Sequence, residues 1–142
     1  MPSLEERVKR LETGAFWILL GMKVNEAKDG RATVTMPIKP DLLQLYGVVH
    51  VGALASLVDG AIGAAVQSSL QEDEASTTVD LQVMYDKAAE QGLLTAKSSI
   101  IRRGRTIIFA ECQVHDDEGV LIAHGTATYM VLEHKRWNKA LN

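Results

Sequence analysis

The feature that most constrains this chain is the run from Leu42 to Leu70, which carries one formal charge at neutral pH, Asp59. Leu54, Leu57, Val58, Ala61, Ile62, Ala65 and Val66 recur at helical spacing and form a broad apolar stripe. At the same repeat, Gly52, Ser56, Asp59, Gly60, Gly63 and Gln67 share the opposite side. A surface helix would place Lys and Glu there. Gly60 and Gly63 each cost roughly 1 kcal/mol against Ala in a helix interior, so another element is expected to approach that face closely. The stretch predicts a helix buried on all sides, ending near Ser69, with a carboxylate set into its narrow face.

A buried carboxylate is costly unless partnered, and no Lys or Arg occurs between Asp41 and Lys87. One reading is a partly wet helical Asp at a subunit interface. The other is a functional acid, a general base or nucleophile tuned by its burial. The company at the helix start favours the second. Gly47 and Gly52 flank His50 where the chain turns into the helix. The free amides of a first turn carry the positive end of the helix dipole. They can hold the oxyanion that forms when a carbonyl is attacked.

Gln44, Gly47, His50 and Gly52, followed by Asp59 in the apolar helix, resemble the signature of hotdog-fold acyl-CoA thioesterases. The PaaI-like and 4-hydroxybenzoyl-CoA groups are the nearest in pattern. That pattern is an amide residue, Gly three on, His six on, then Gly-Gly, and an acid nine residues after the His. Here Gln44 stands where Asn is commoner, and Val51 replaces the first Gly after His50. The resemblance implies an α+β hotdog fold over roughly residues 15–132, an antiparallel sheet wrapped around one long helix. It also implies hydrolysis of an acyl-CoA thioester. In those terms the backbone N–H of Val51 is the oxyanion donor, and Gly52 completes the turn. Gln44 positions the thioester or the water, and His50 orders the loop rather than acting as base. Asp59 is the base, or the nucleophile of an anhydride route. Thr78 falls where relatives carry a Ser or Thr near the catalytic water. Arg102, Arg103 and Arg105 around Gly104 match a basic turn that meets coenzyme A phosphates, to which Arg binds bidentately, with Arg105 and the turn's backbone the expected contacts. A solvated hairpin turn is the plainer reading of that cluster. Coenzyme A enters as part of the substrate, with no separate cofactor and no metal expected.

Spacing adds a constraint of its own. Val51 and Asp59 lie eight residues apart, about 12 Å along a helix, and the Asp side chain leans back only a few ångströms. A thioester carbon must sit ~3 Å from the attacking oxygen while its carbonyl oxygen sits ~3 Å from the donor. One helix does not reach both. Two antiparallel copies do, so a site shared across a homodimer is expected; the resemblance to hotdog thioesterases implies a dimer of dimers as the next level of assembly.

The remaining sequence fits one domain over residues 1–142. A net charge of −3 and a pI near 5.8 argue against general nucleic-acid or anionic-membrane binding. A single cysteine rules out an intrachain disulfide. With no signal-peptide pattern, a cytoplasmic location is expected. Ser3 and Glu6 form a capping box for a short helix over 3–12, and 16–20 continues as a further helical turn. Strands are expected at 22–27 and 31–38, joined at Asp29-Gly30. Four more follow the helix at 77–85, 93–101, 106–114 and 120–132, with turns at 90–92, 103–105 and 116–119. The first of these four is the expected edge strand for pairing between subunits.

Other candidates read as structural. Cys112 alternates with Ala110 and Val114 in a strand, Ser68-Ser69 lacks a nucleophile-elbow context, and Trp17 and Trp137 read as packing residues. His115, His124 and His134 have no metal-ligand spacing. Two rival functions remain in view. A non-catalytic acyl-CoA-binding protein would not need Asp59, and a dehydratase or hydratase would need a His–acid pairing that is not evident.

Overall fold

The computed structural model describes residues 3–133; His134 and Trp137 lie outside them. Helix α1 (Leu4–Leu11) is capped by Ser3 and Glu6 as the capping box predicts. Helix α2 (Ala15–Leu20) follows, and Gly21 ends it at φ +75°, a left-handed conformation that suits glycine. Strands β1 (Lys23–Lys28) and β2 (Arg31–Pro37) form a hairpin through Asp29-Gly30, both at positive φ. A 3₁₀ turn at Pro40–Leu42 leads to helix α3 (Val51–Gln67). Strands β3 (Glu74–Tyr85), β4 (Leu93–Arg103), β5 (Ile107–His115) and β6 (Leu121–Glu133) complete the chain.

All six strands form one antiparallel sheet in the order β1-β2-β4-β5-β6-β3, with α3 packed on one face. This is the hotdog architecture, with short N-terminal helices added. The strands alternate because one face is buried: in β5, Ile108, Ala110, Cys112 and Val114 point inward and Phe109, Glu111 and Gln113 outward. Leu57, Val58, Ala61, Ile62, Ala65 and Val66 of the α3 stripe are fully buried against that face. Ser98 of β4 donates to the Ala61 carbonyl at 2.7 Å and fixes the helix along the sheet.

Three expectations change. First, full burial of α3 on all sides does not hold within the chain: Ser56, Asp59, Gly60, Gly63 and Gln67 are only half-buried. Second, residues 90–92 do not join neighbouring strands. β3 pairs with β6 and β4 with β2, so the segment from Asp86 to Gly92 crosses the end of the sheet. It is tied there by Asp86 and Lys87 amides to the Ile122 carbonyl, Val49 to Ala89, and Ile38 to Gly92. Third, the core begins before residue 15. Val8 of α1 joins it, and Arg7 donates to the Gln71 and Glu72 carbonyls at 3.0 and 3.3 Å. No described helix is long and apolar enough to cross a membrane.

Candidate active site

Helix α3 starts where a loop folds back on itself. Leu43 bridges Val49, the Gln44 amide donates to the Val48 carbonyl at 2.7 Å, and Gly47 turns the chain at φ +83°. The Gln44 side-chain carbonyl accepts from the Tyr46 amide, so its NH₂ has no partner among the described residues. His50 is the N-cap, and its Nδ1 accepts from the Gly52 amide at 2.8 Å. The ring is thus a loop-ordering group, as the sequence reading has it. A β-carbon at Gly52 would lie 2.9 Å from that nitrogen, so glycine lets the ring fold over the first turn. With Gly52 engaged, the Val51 N–H is the amide left without a protein acceptor among the described residues. It stands at the positive end of a 17-residue helix.

Two turns along, Asp59 meets two hydroxyls. Thr78 of β3 donates to its Oδ1 at 2.9 Å. Tyr129 of β6 donates to the same oxygen at 2.8 Å and to the Asp59 main-chain carbonyl at 2.9 Å. The carboxylate is therefore partnered by neutral donors in place of the missing cation. Its other oxygen, Oδ2, accepts nothing among the described residues. Burial, and then the Asp59 charge, push the Tyr129 hydroxyl far above the ordinary phenol range, which keeps it a donor.

The small face of α3 admits neighbours from the same chain. A β-carbon at Gly60 would meet the Met22 methyl at 2.5 Å and Trp17 at 3.1 Å, and one at Gly63 would meet the Tyr129 hydroxyl at 3.1 Å. The close approach signalled by those glycines is thus made by α2, the following Met22, and β6. Tyr129 escaped the sequence reading. Its signal was there: an inward Tyr in an alternating strand, whose hydroxyl needs a buried acceptor.

The basic turn divides. Arg103 pairs with Glu74 at 2.8 Å and donates to the Gly104 carbonyl, so it ties the β4–β5 turn to the start of β3. Arg102 and Arg105 are exposed and form no ion pair among the described residues. A β-carbon at Gly104 would lie 2.5 Å from the Ile107 carbonyl oxygen, which accounts for this glycine by turn geometry. The turn sits by Glu74 at one end of β3. At the other end, Tyr85 donates to the Val51 carbonyl at 3.3 Å. Within one chain, then, Thr78 and Asp59 come together, and His50, Gly52 and Val51 do, while the arginines stand apart from the helix start. Cys112 is a buried core residue whose thiol burial pushes up to about 12.

Comparison with known proteins places these residues in context. Residues 46–123 match the Thioesterase superfamily. The chain is 30% identical over 127 residues to the medium/long-chain acyl-CoA thioesterase YigI of Escherichia coli, covering 79% of this chain and 82% of that protein. A thioesterase family protein from Silicibacter pomeroyi superposes with a TM-score of 0.86 at 27% identity, over 92% of this chain and 99% of that one. A Haemophilus influenzae thioesterase shares the fold at a TM-score of 0.85 and 22% identity, over 94% and 93% of the two chains.

Proposed function

The chain belongs to the thioesterase superfamily, and from that premise we propose that it hydrolyses an acyl-CoA thioester to a carboxylic acid and free coenzyme A. The observation that carries this reading is Asp59, held through Oδ1 with Oδ2 unengaged among the described residues, on a helix whose leading amide is likewise unengaged among them. The Val51 N–H and the helix dipole take up the charge that develops on the thioester oxygen. Asp59 takes the proton of the attacking water, the C–S bond breaks, and the coenzyme A thiolate leaves and is reprotonated. In the alternative course, Asp59 attacks the carbonyl carbon itself and water hydrolyses the resulting anhydride. Oxygen-18 entering Asp59 in a single turnover in labelled water supports the anhydride course.

The site in this reading is shared. Asp59 and Val51 stand about 12 Å apart along one helix, too far to act on one carbonyl. Antiparallel pairing of two β3 edges lays the Tyr85 end of one strand beside the Glu74 end of its partner. That brings one chain's Val51 amide towards the other's Asp59, Thr78 and basic turn. Arg102 and Arg105, rather than Arg103, are then the phosphate-binding groups, and Gln44 offers its NH₂ to the thioester or the water. YigI is named for medium and long acyl chains, and an aliphatic acyl group suits the apolar surroundings of the helix start.

Release of free thiol from a panel of acyl-CoAs tests the proposal, with Asp59→Ala and Asp59→Asn measured alongside. Both variants are expected to lose roughly 100- to 10,000-fold in kcat. Undiminished turnover in both overturns the mechanism, and tight binding without turnover on any thioester favours a binding protein.

A further inference from the structure

We infer that Tyr129 is a positioning residue for the Asp59 carboxylate; the inference rests on the hydrolytic reading above. An aspartate on a half-exposed helix face has two torsions to fix. Tyr129 restrains them: its single hydroxyl hydrogen is shared between Oδ1 at 2.8 Å and the Asp59 main-chain carbonyl at 2.9 Å, which holds that carboxylate oxygen against the helix backbone. The phenol is a stiff arm, with its ring buried in β6 and its hydroxyl at the tip. Thr78 reaches the same Oδ1 from β3, a more exposed strand at the edge of the sheet. The two hydroxyls converge on one oxygen, so the other, Oδ2, is the one presented to water or to the acyl carbon. Gly63 belongs to this device. It lies one turn beyond Asp59, and a β-carbon there would press on the Tyr129 hydroxyl at 3.1 Å. The loss of helix propensity at Gly63 thus keeps a path open for the phenol. Neutral donors also orient a carboxylate without the Coulombic hold of a paired Lys or Arg, which would weaken it as a base.

Tyr129→Phe removes the hydroxyl and leaves the ring. The expected result is a fall in kcat of about 10- to 100-fold, with KM within about twofold of the parent. Melting temperature and oligomeric state should stay close to the parent's. Gly63→Ala is the second variant, pushing on the same hydroxyl with every Tyr129 atom in place. It is expected to lower kcat several-fold, again with KM preserved. Two outcomes overturn the inference alone: an active parent whose Tyr129→Phe form keeps kcat within twofold, or a loss in that form that appears only in KM or only with dissociation or unfolding. Absence of thioester turnover in the parent overturns the hydrolytic reading instead, and this inference with it.

Discussion

The two edges of the sheet are built in opposite ways. β1 is six residues long, carries Lys23, Glu26 and Lys28, and shifts register between Val24 and Glu26. Helix α1 roofs it: Glu12 accepts from the Val24 amide at 2.6 Å and Lys9 reaches the Val24 carbonyl at 3.5 Å. Shortness, charge and a cover keep an edge from pairing with another chain, and they set β1 apart from β3, which also shifts register, between Thr78 and Asp80. β3 has twelve residues, has no strand on its outer side among the described residues, and exposes Val79 and Met84 at 55% and 62%. Its charges along the run are Glu74 at the start and Asp80 at the middle. The chain closes one edge with its own helix and leaves the other in a state that suits a second copy. The open edge also carries Thr78 and Tyr85, which touch Asp59 and Val51.

The comparison breaks most sharply at Val79. A Lys there places an edge-blocking charge on β3, and if β3 edges pair as proposed, Val79→Lys is expected to sediment as a monomer where the parent sediments as a dimer. Activity should fall by roughly 100- to 1,000-fold, the loss associated with removing one oxyanion donor. A monomeric variant with full activity would end the shared-site reading. A smaller effect is expected where β3 meets β6. A β-carbon at Gly125 would collide with the Gln82 carbonyl oxygen and touch Val58 at 3.2 Å. Gly125→Ala should cost about 1–3 kcal/mol in denaturant unfolding and weaken the assembly by loosening β3; unchanged stability would show that the open edge is not rigidly seated. The smallest effect belongs to the closed edge. Glu12→Ala removes the acceptor of the Val24 amide at a cost of about 1 kcal/mol, a few degrees in Tm, with oligomeric state and turnover the same as the parent's. A change of oligomeric state in that variant would mean that β1 also takes part in assembly.

Much of the candidate site's local geometry was legible from local pattern. The spacing Gln44, Gly47, His50, Gly52, Asp59 is contained in one loop and one helix. The roles it offers, a capping His and a leading amide, depend on residues two to four apart. Glycines 60 and 63 announced a close approach but not its source. The spacing predicts only that some element approaches, and Met22, Trp17 and Tyr129 of the same chain are the ones found. Arg103 shows the same limit. Beside Gly104 its residue type leaves a phosphate ligand and a plain turn residue both open, and its meeting with Glu74, twenty-nine residues away, assigns it to the turn.

Sequence alone determined the apolar stripe of α3, the alternation of the strands, the hairpin at Asp29-Gly30 and the isolation of Asp59. Helical and strand periodicities and turn chemistry are properties of neighbouring residues. Tertiary structure decided the strand order, with β3 carried past β4 and β5 to the far edge beside β6. With that order came the contact between Tyr129 and Asp59, seventy residues apart. Periodicity says which way a side chain faces, and strand order says what it faces. The second depends on how every element packs at once, so a short stretch of chain does not contain it.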